Sequence, residues 1–214
     1  MGREFIELFE DWAQTYDSTV DGKDIQYKEV FDQYEQILNK VAEKAGQYVL
    51  EFGVGTGNLT NTLLKANKQV IGVEPSKMMR QKAIEKLGKK VPVHDGDFLS
   101  FPPLGVNIDT IVSSYAFHHL TNEEKRKAIQ LYNNILPSGG KIVFADTTFV
   151  DQSAFDQTIA KAKENQFYDL ARDLETEYYT THEVLKEIFT ENGFTVTFEQ
   201  VNEFVWVIEA IKQT

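Results

Sequence analysis

Between residues 48 and 146, short apolar runs alternate with amphipathic stretches. The runs around Tyr48-Val49-Leu50 and Val70-Ile71-Gly72-Val73, and those at 91–98, 108–113 and 141–146, are brief, rich in β-branched residues and bounded by turn formers, so they read as strands. Helices fit between them. Leu59, Leu63 and Leu64 recur at helical spacing, and 77–87 carries Met79, Ala83, Ile84 and Leu87 on one expected face, with Ser76 as N-cap and Gly88 as stop. Thr121 and Glu124 form a capping-box pattern for a helix reaching Leu136, which Pro137-Ser138-Gly139-Gly140 terminates. Such alternation implies a parallel sheet covered by helices on both faces.

After Asp146 the alternation breaks. Residues 147–180 are polar and aromatic with no clear strand, which predicts one or two helices inserted above the carboxyl edge of the sheet. A helix over 181–192 precedes two strands, 194–201 and 204–211, whose link Asn202-Glu203 permits an antiparallel hairpin. At the other end, Phe5, Leu8, Phe9, Trp12 and Tyr16 recur at helical spacing and predict a helix that covers the core.

Composition narrows the class. With 214 residues, 42% hydrophobic and 26% charged, the chain has the profile of a single domain over 1–214, decorated by an N-terminal helical cap (about 1–45) and a lid-like insertion (about 147–180). No apolar run approaches the roughly 18 to 20 residues of a membrane span. The opening residues lack a signal-peptide pattern, and Ile6 stands where a myristoylation motif wants Ser or Thr, so a cytoplasmic, membrane-free protein is expected. Absence of cysteine removes disulfides, thiolate metal sites and a cysteine nucleophile. A net charge of −11 argues against nucleic acid as partner, and the small basic group Lys86, Lys89 and Lys90 reads as a solvated helix end.

The chemistry concentrates in Glu51-Phe52-Gly53-Val54-Gly55-Thr56-Gly57, which reads as strand, glycine turn and helix start. A ligand bearing a nucleoside can lie there against bare backbone, facing a helix N-terminus. Dinucleotide fingerprints want Gly-x-Gly-x-x-Gly, but the final position is Asn58. Glu74, 23 residues past Glu51, stands at the tip of the second strand, where a carboxylate can accept from both ribose hydroxyls. The third strand ends in Gly96-Asp97-Phe98, so Asp97 can accept from an adenine amino group and Phe98 can pack on the ring.

The pattern acid-x-Gly-x-Gly-x-Gly resembles motif I of the class I S-adenosylmethionine (SAM) methyltransferases, and Trp12-Ala13-Gln14-Thr15-Tyr16-Asp17 resembles their "W-A-x-x-Y-D" segment. Taken with the final hairpin, the chain looks most like the small bacterial YrrT-type subfamily. That resemblance implies a Rossmann-like, doubly wound, seven-stranded and mostly parallel α/β sheet with a C-terminal antiparallel hairpin. It also implies SAM as cofactor, S-adenosylhomocysteine (SAH) as product, and transfer of a methyl group to a small soluble metabolite. The contacts it carries over fall on Gly53, Glu74 and Asp97, with Gly55 giving close backbone approach and Phe98, Met79, Tyr16 and Ser113 as further cofactor-binding candidates.

After the fourth strand comes Ser113-Ser114-Tyr115-Ala116-Phe117-His118-His119-Leu120, which is not the Asn/Asp-Pro-Pro-aromatic motif of amino-group methylases of adenine, cytosine and glutamine. Tyr115, His118 and His119 are the catalytic candidates, and a structural or helix-entry role is the first alternative for the two histidines. A metal is not expected, because adjacent histidines rarely aim at one ion and no cysteine or third histidine lies near in sequence. His182 reads as part of a helix cap. Two other readings stay open at this point: a non-catalytic SAM or SAH binder, and an NAD-dependent oxidoreductase supported only by Gly-x-Gly and Glu74. The methyl acceptor and the oligomeric state are not legible.

Overall fold

The structure, a computed structural model, describes residues 5, 6, 10, 14 and 16–214. Tyr16–Ser18 is a short helical turn that runs into a π-turn over Thr19–Lys23. In chain order there follow α1 (Tyr34–Lys44), β1 (Tyr48–Phe52), α2 (Asn58–Lys65), β2 (Gln69–Val73), α3 (Lys77–Leu87), β3 (Val93–His94) and β4 (Thr110–Ser114). Next come α4 (Asn122–Ile135), β5 (Lys141–Thr147), α5 (Gln152–Glu164), α6 (Tyr168–Thr176), α7 (His182–Glu191), β6 (Phe194–Gln200) and β7 (Val205–Lys212).

The seven strands form one sheet in the order β3-β2-β1-β4-β5-β7-β6. Only β7 runs against the rest, paired antiparallel with both β5 and β6. Order reverses between β1 and β4, whose side-by-side register aligns Phe52 with Ser113. In open α/β sheets this reversal leaves a crevice beyond the carboxyl ends of the strands, where ligands bind.

Alternation along the strands divides the core into two layers. Val49, Val112, Val143 and Val207 pack with α1, α2 and the two insertion helices, whereas Leu50, Ile111, Phe144 and Ile208 pack with α4 and α7. Local capping follows the expected residues. Ser76 Oγ accepts from the Met79 amide at 3.3 Å, and Thr121 with Glu124 closes a reciprocal capping box.

Two expectations change. The third strand keeps only Val93–His94, because Pro92 donates no amide and the chain turns at once, Asp97 N–H bonding Ser100 O at 2.8 Å. Ile84 is 48% exposed: Met79, Ala83 and Leu87 repeat every four residues and fill the buried stripe without it. The expected helix bearing Phe5, Leu8, Phe9, Trp12 and Tyr16 falls largely outside the described residues, Leu8, Phe9 and Trp12 among them; from Tyr16 onward the chain forms the turn at Tyr16–Lys23, a run of turns and then α1.

The insertion forms the two helices α5 and α6, and it meets the N-terminal region. Gln26 donates to Asp169 at 2.9 Å, the Tyr27 hydroxyl donates to Asp173, and Lys161 pairs with Glu29 at 3.2 Å. Both decorations therefore lean on each other at the carboxyl edge of the sheet.

Candidate active site at the carboxyl edge of the sheet

β1 ends against a turn that only glycine can make. Gly53 has φ +66°, and a Cβ on it would stand 2.8 Å from Ala116 Cβ. Gly55 has φ +56° with nothing within 4 Å of the Cβ position, so its bare backbone borders open space. Beside it, the two oxygens of Glu74 accept from the amides of Gly55 at 2.9 Å and Ser76 at 2.8 Å. Burial raises the Glu74 pKa to about 7, against the pull of those two hydrogen bonds and of Arg80.

Asp97 closes the third strand's turn. Its Oδ1 accepts from the amides of Leu99 and Ser100, both at 2.9 Å, which fixes the carboxylate in place. Phe98 stacks on Phe52 at 5.2 Å between ring centres and leans on Phe117 and Phe144, so it is mainly a core residue with one edge on the site.

These groups converge on one cleft at the carboxyl edge of the sheet. Gly53, Gly55, Glu74, Met79, Asp97 and Phe98 line it together with Tyr16, Tyr115 and His119. Ser113 and His118 are not in its lining. Neighbouring side chains of a strand point to opposite faces, so Ser114 takes the place expected for Ser113, whose buried hydroxyl has no hydrogen-bond partner among the described residues. Pro75 and Ala116 also line the cleft, and the sequence reading missed them. The small side chain of Ala116 is the only trace they leave in sequence, because Gly53 crowds it.

Glu51 is a supporting residue, not part of the lining. It is buried under the glycine turn and accepts from the Thr60 hydroxyl at 2.7 Å, while its Oε1 has no hydrogen-bond partner among the described residues. Burial raises its pKa to about 8.

The "W-A-x-x-Y-D" segment is described only in part, since Trp12, Ala13 and Thr15 lie outside the described residues. What is described is fastened to the glycine turn. Asp17 accepts from Thr56 at 2.6 Å and Asn58 at 3.2 Å, and pairs with Lys86 at 2.8 Å. Asn58, in the position where a dinucleotide fingerprint has glycine, also donates to the Tyr34 hydroxyl at 3.2 Å. Tyr115 adopts φ +52°, uncommon for a bulky residue, with its ring against Phe31 and Tyr34 and its hydroxyl on Val30 O at 3.3 Å.

Behind the cleft lies a buried charged cluster. His118 Nδ1 meets Asp146 at 2.5 Å, its Nε2 meets Glu177 at 3.3 Å, and its ring stacks on Tyr179. Burial works against the His118 cation, but Asp146 and Glu177 together more than offset it and raise its pKa to about 10. His119 goes the other way: burial, reinforced by the His118 charge, lowers it to about 3. Neither ring is tuned to exchange protons near neutral pH, which weakens the general-base reading of both. Glu177, from the end of the insertion, is the third potential ligand that the sequence did not place near the histidines. His182 begins α7 beside its N-cap Thr181, and its ring stacks on Phe198 and meets Trp206 edge-on, both at 4.3 Å.

A switch-point cleft lined by a glycine turn and strand-tip carboxylates defines an α/β protein with a ligand crevice at the carboxyl edge of its sheet. Comparison with known proteins gives the family. The family described as "Methyltransferase domain" matches residues 49–140. The uncharacterized methyltransferase YrrT of Bacillus subtilis is 59% identical over 213 residues, and a Geobacillus sp. (strain WCH70) methyltransferase is 62% identical over 213, each match covering all of both chains. The chain belongs to this family of bacterial methyltransferases. Among solved structures, the DhpI–SAH complex aligns with TM-score 0.70 at 16% identity, covering 97% of this chain and 95% of that one. Magnesium protoporphyrin IX methyltransferase from Synechocystis PCC 6803 with bound SAM aligns with TM-score 0.66 at 16% identity, covering 97% of each chain. These two likenesses show the fold. Family membership sets aside the oxidoreductase reading.

Proposed function

We propose that the cleft binds SAM and that the protein transfers its methyl group to a small soluble metabolite. One observation carries the reading: Gly55 presents unobstructed backbone beside a buried Glu74 whose carboxylate is held by two amides. A side chain at Gly55 would fill the space a ligand needs, and a buried carboxylate at this strand tip fits a pair of ribose hydroxyls.

In this reading Glu74 accepts from the ribose, Asp97 from the adenine amino group, and Met79 with the edge of Phe98 packs on the base. Tyr16 and Tyr115 line the same cleft, and an aromatic ring suits a cationic sulfur. Bound SAM supplies a methyl group already activated by its sulfonium. The chain's task is then orientation and exclusion of water, effects that together reach on the order of 7–11 kcal/mol for well-aligned reactants. The Asp17 contacts hold the N-terminal segment over the glycine turn, and the insertion, leaning on that segment, serves as the lid that shapes the acceptor pocket.

The net charge of −11 works against a polyanionic acceptor. Among the described residues no helix is long and apolar enough to cross a membrane; a cytoplasmic location is part of the proposal. The test is SAH release on incubation with SAM and a library of small thiols, alcohols, amines and carbon acids. Turnover with one class supports the reading; tight SAM binding without turnover on any of them would favour a non-catalytic binder.

A further inference from the structure

His118 and His119 occupy the 3₁₀ turn Phe117–His119, and although adjacent in sequence their ring centres lie only 4.1 Å apart. Glu177 reaches them from the insertion. Its Oε2 is 3.3 Å from His118 Nε2 and its Oε1 is 3.9 Å from His119 Nδ1, and one ligand atom from each residue lies within 4.8 Å of the other two. A tetrahedral ion with bonds of about 2.0–2.1 Å holds its ligand atoms roughly 3.3–3.4 Å apart. The His118–Glu177 separation already has that spacing.

The surroundings match a metal centre as well. Asp146 takes the other ring nitrogen of His118 and is itself fixed by the backbone amides of His118 at 3.0 Å and Thr147 at 2.8 Å. The Tyr179 hydroxyl donates to Glu177 at 2.8 Å. A carboxylate behind a histidine ligand and a hydrogen bond behind a carboxylate ligand are the supports that orient metal ligands.

We propose that His118, His119 and Glu177 bind one zinc-type divalent cation. Its open position is turned by His119 toward the cleft and receives the nucleophile of the methyl acceptor as an oxygen or sulfur anion. The local charges favour an anion there. Asp146 and Glu177 are negative, and the buried Lys125, which donates to Tyr178 O at 2.7 Å, is positive. The metal takes the place of the His118 Nε2 proton, so a divalent cation leaves one positive charge in excess, and an anionic ligand cancels it. The acceptor clause rests on the methyl-transfer reading; metal binding does not.

Full-length protein stripped by a chelator is titrated with Zn²⁺ against a chromophoric competitor, and with Co²⁺ by visible absorption. One equivalent per chain with the intense bands of four-coordinate cobalt is expected. It should be weakened by more than about 100-fold in His119→Ala and Glu177→Gln and by about 10- to 100-fold in Asp146→Asn, and unchanged in His94→Ala. No stoichiometric binding, or equal binding by the His119→Ala variant shown to be folded by circular dichroism, overturns the site and leaves the cluster as a buried ion-pair staple. Should Glu177→Gln unfold, His119→Ala alone decides, since that ring lies on the cleft wall. Adding 2-mercaptoethanol or phenol to the cobalt form tests the acceptor clause: a new sulfur-to-cobalt band assigns sulfur, and a shift with phenol alone assigns oxygen. A spectrum unmoved by both overturns that clause. SAM calorimetry on the same samples separates the two readings, because metal bound without SAM sinks the donor site and SAM bound without metal sinks this one.

Discussion

The Thr56 hydroxyl donates to Asp17 at 2.6 Å, so the chain segment that carries Tyr16 is tied directly to the glycine turn. Tyr16 lines the cleft, and the tie fixes where its ring stands. Asp17→Ala removes this bond together with the pairing to Lys86. Because Asp17 is half exposed, a modest effect is expected: SAM affinity falls about two- to fivefold by calorimetry, and proteolytic cleavage before residue 24 accelerates.

Glu74 should make SAM binding depend on pH. Its carboxylate accepts hydrogen bonds that its acid form cannot, and burial places the pKa at about 7. Affinity therefore tightens as pH rises toward 7 and levels off above it, with proton release on binding below that point. Glu74→Gln abolishes the proton release in calorimetry done in buffers of different ionisation enthalpy.

Glu51 governs stability rather than binding. A carboxyl whose pKa is raised from 4.5 to about 8 by folding binds its proton more tightly in the native state. Its contribution is full below pH 4.5 and is lost as pH rises to about 8, by at most about 1.4 kcal/mol per pH unit. Glu74 adds a like trend over 4.5 to about 7. Thermal unfolding of Glu51→Gln should show a clearly flatter decline than wild type between pH 5 and 8; parallel curves would contradict the burial argument.

The two turn glycines should fail differently. Gly53→Ala meets both a positive φ and the Ala116 methyl at 2.8 Å, so it destabilises the fold by about 1–3 kcal/mol, and Ala116→Gly restores part of that loss. Gly55→Ala meets no atom and carries only the φ penalty, about 1 kcal/mol, yet it fills the ligand's space and weakens SAM binding the more. Thermal melts and calorimetry on all four proteins check the contrast.

The fold was legible in part because several helices carry their own punctuation. Ser76 with Gly88, and Thr121 with Glu124, mark ends by local hydrogen bonding that needs no tertiary context. That Gly53, Gly55, Glu74 and Asp97 meet at one cleft was legible too, since they sit at strand tips whose places follow from strand order. Ser113 was misplaced by a single position, an uncertainty that strand alternation turns into the opposite face. Glu177 was invisible, because it reaches His118 from 59 residues away through the path of the insertion. No periodicity encodes that meeting; it depends on the Tyr178 amide bonding His118 O at 3.0 Å.

Isothermal titration of SAM into wild-type and Glu74→Ala protein tests the central claim most directly. The wild type should bind one SAM per chain, and the variant should bind it weaker by about 1–3 kcal/mol, or roughly five- to 150-fold. Equal affinity in the two proteins, or no binding by folded wild type, would contradict the assignment of this cleft to the methyl donor.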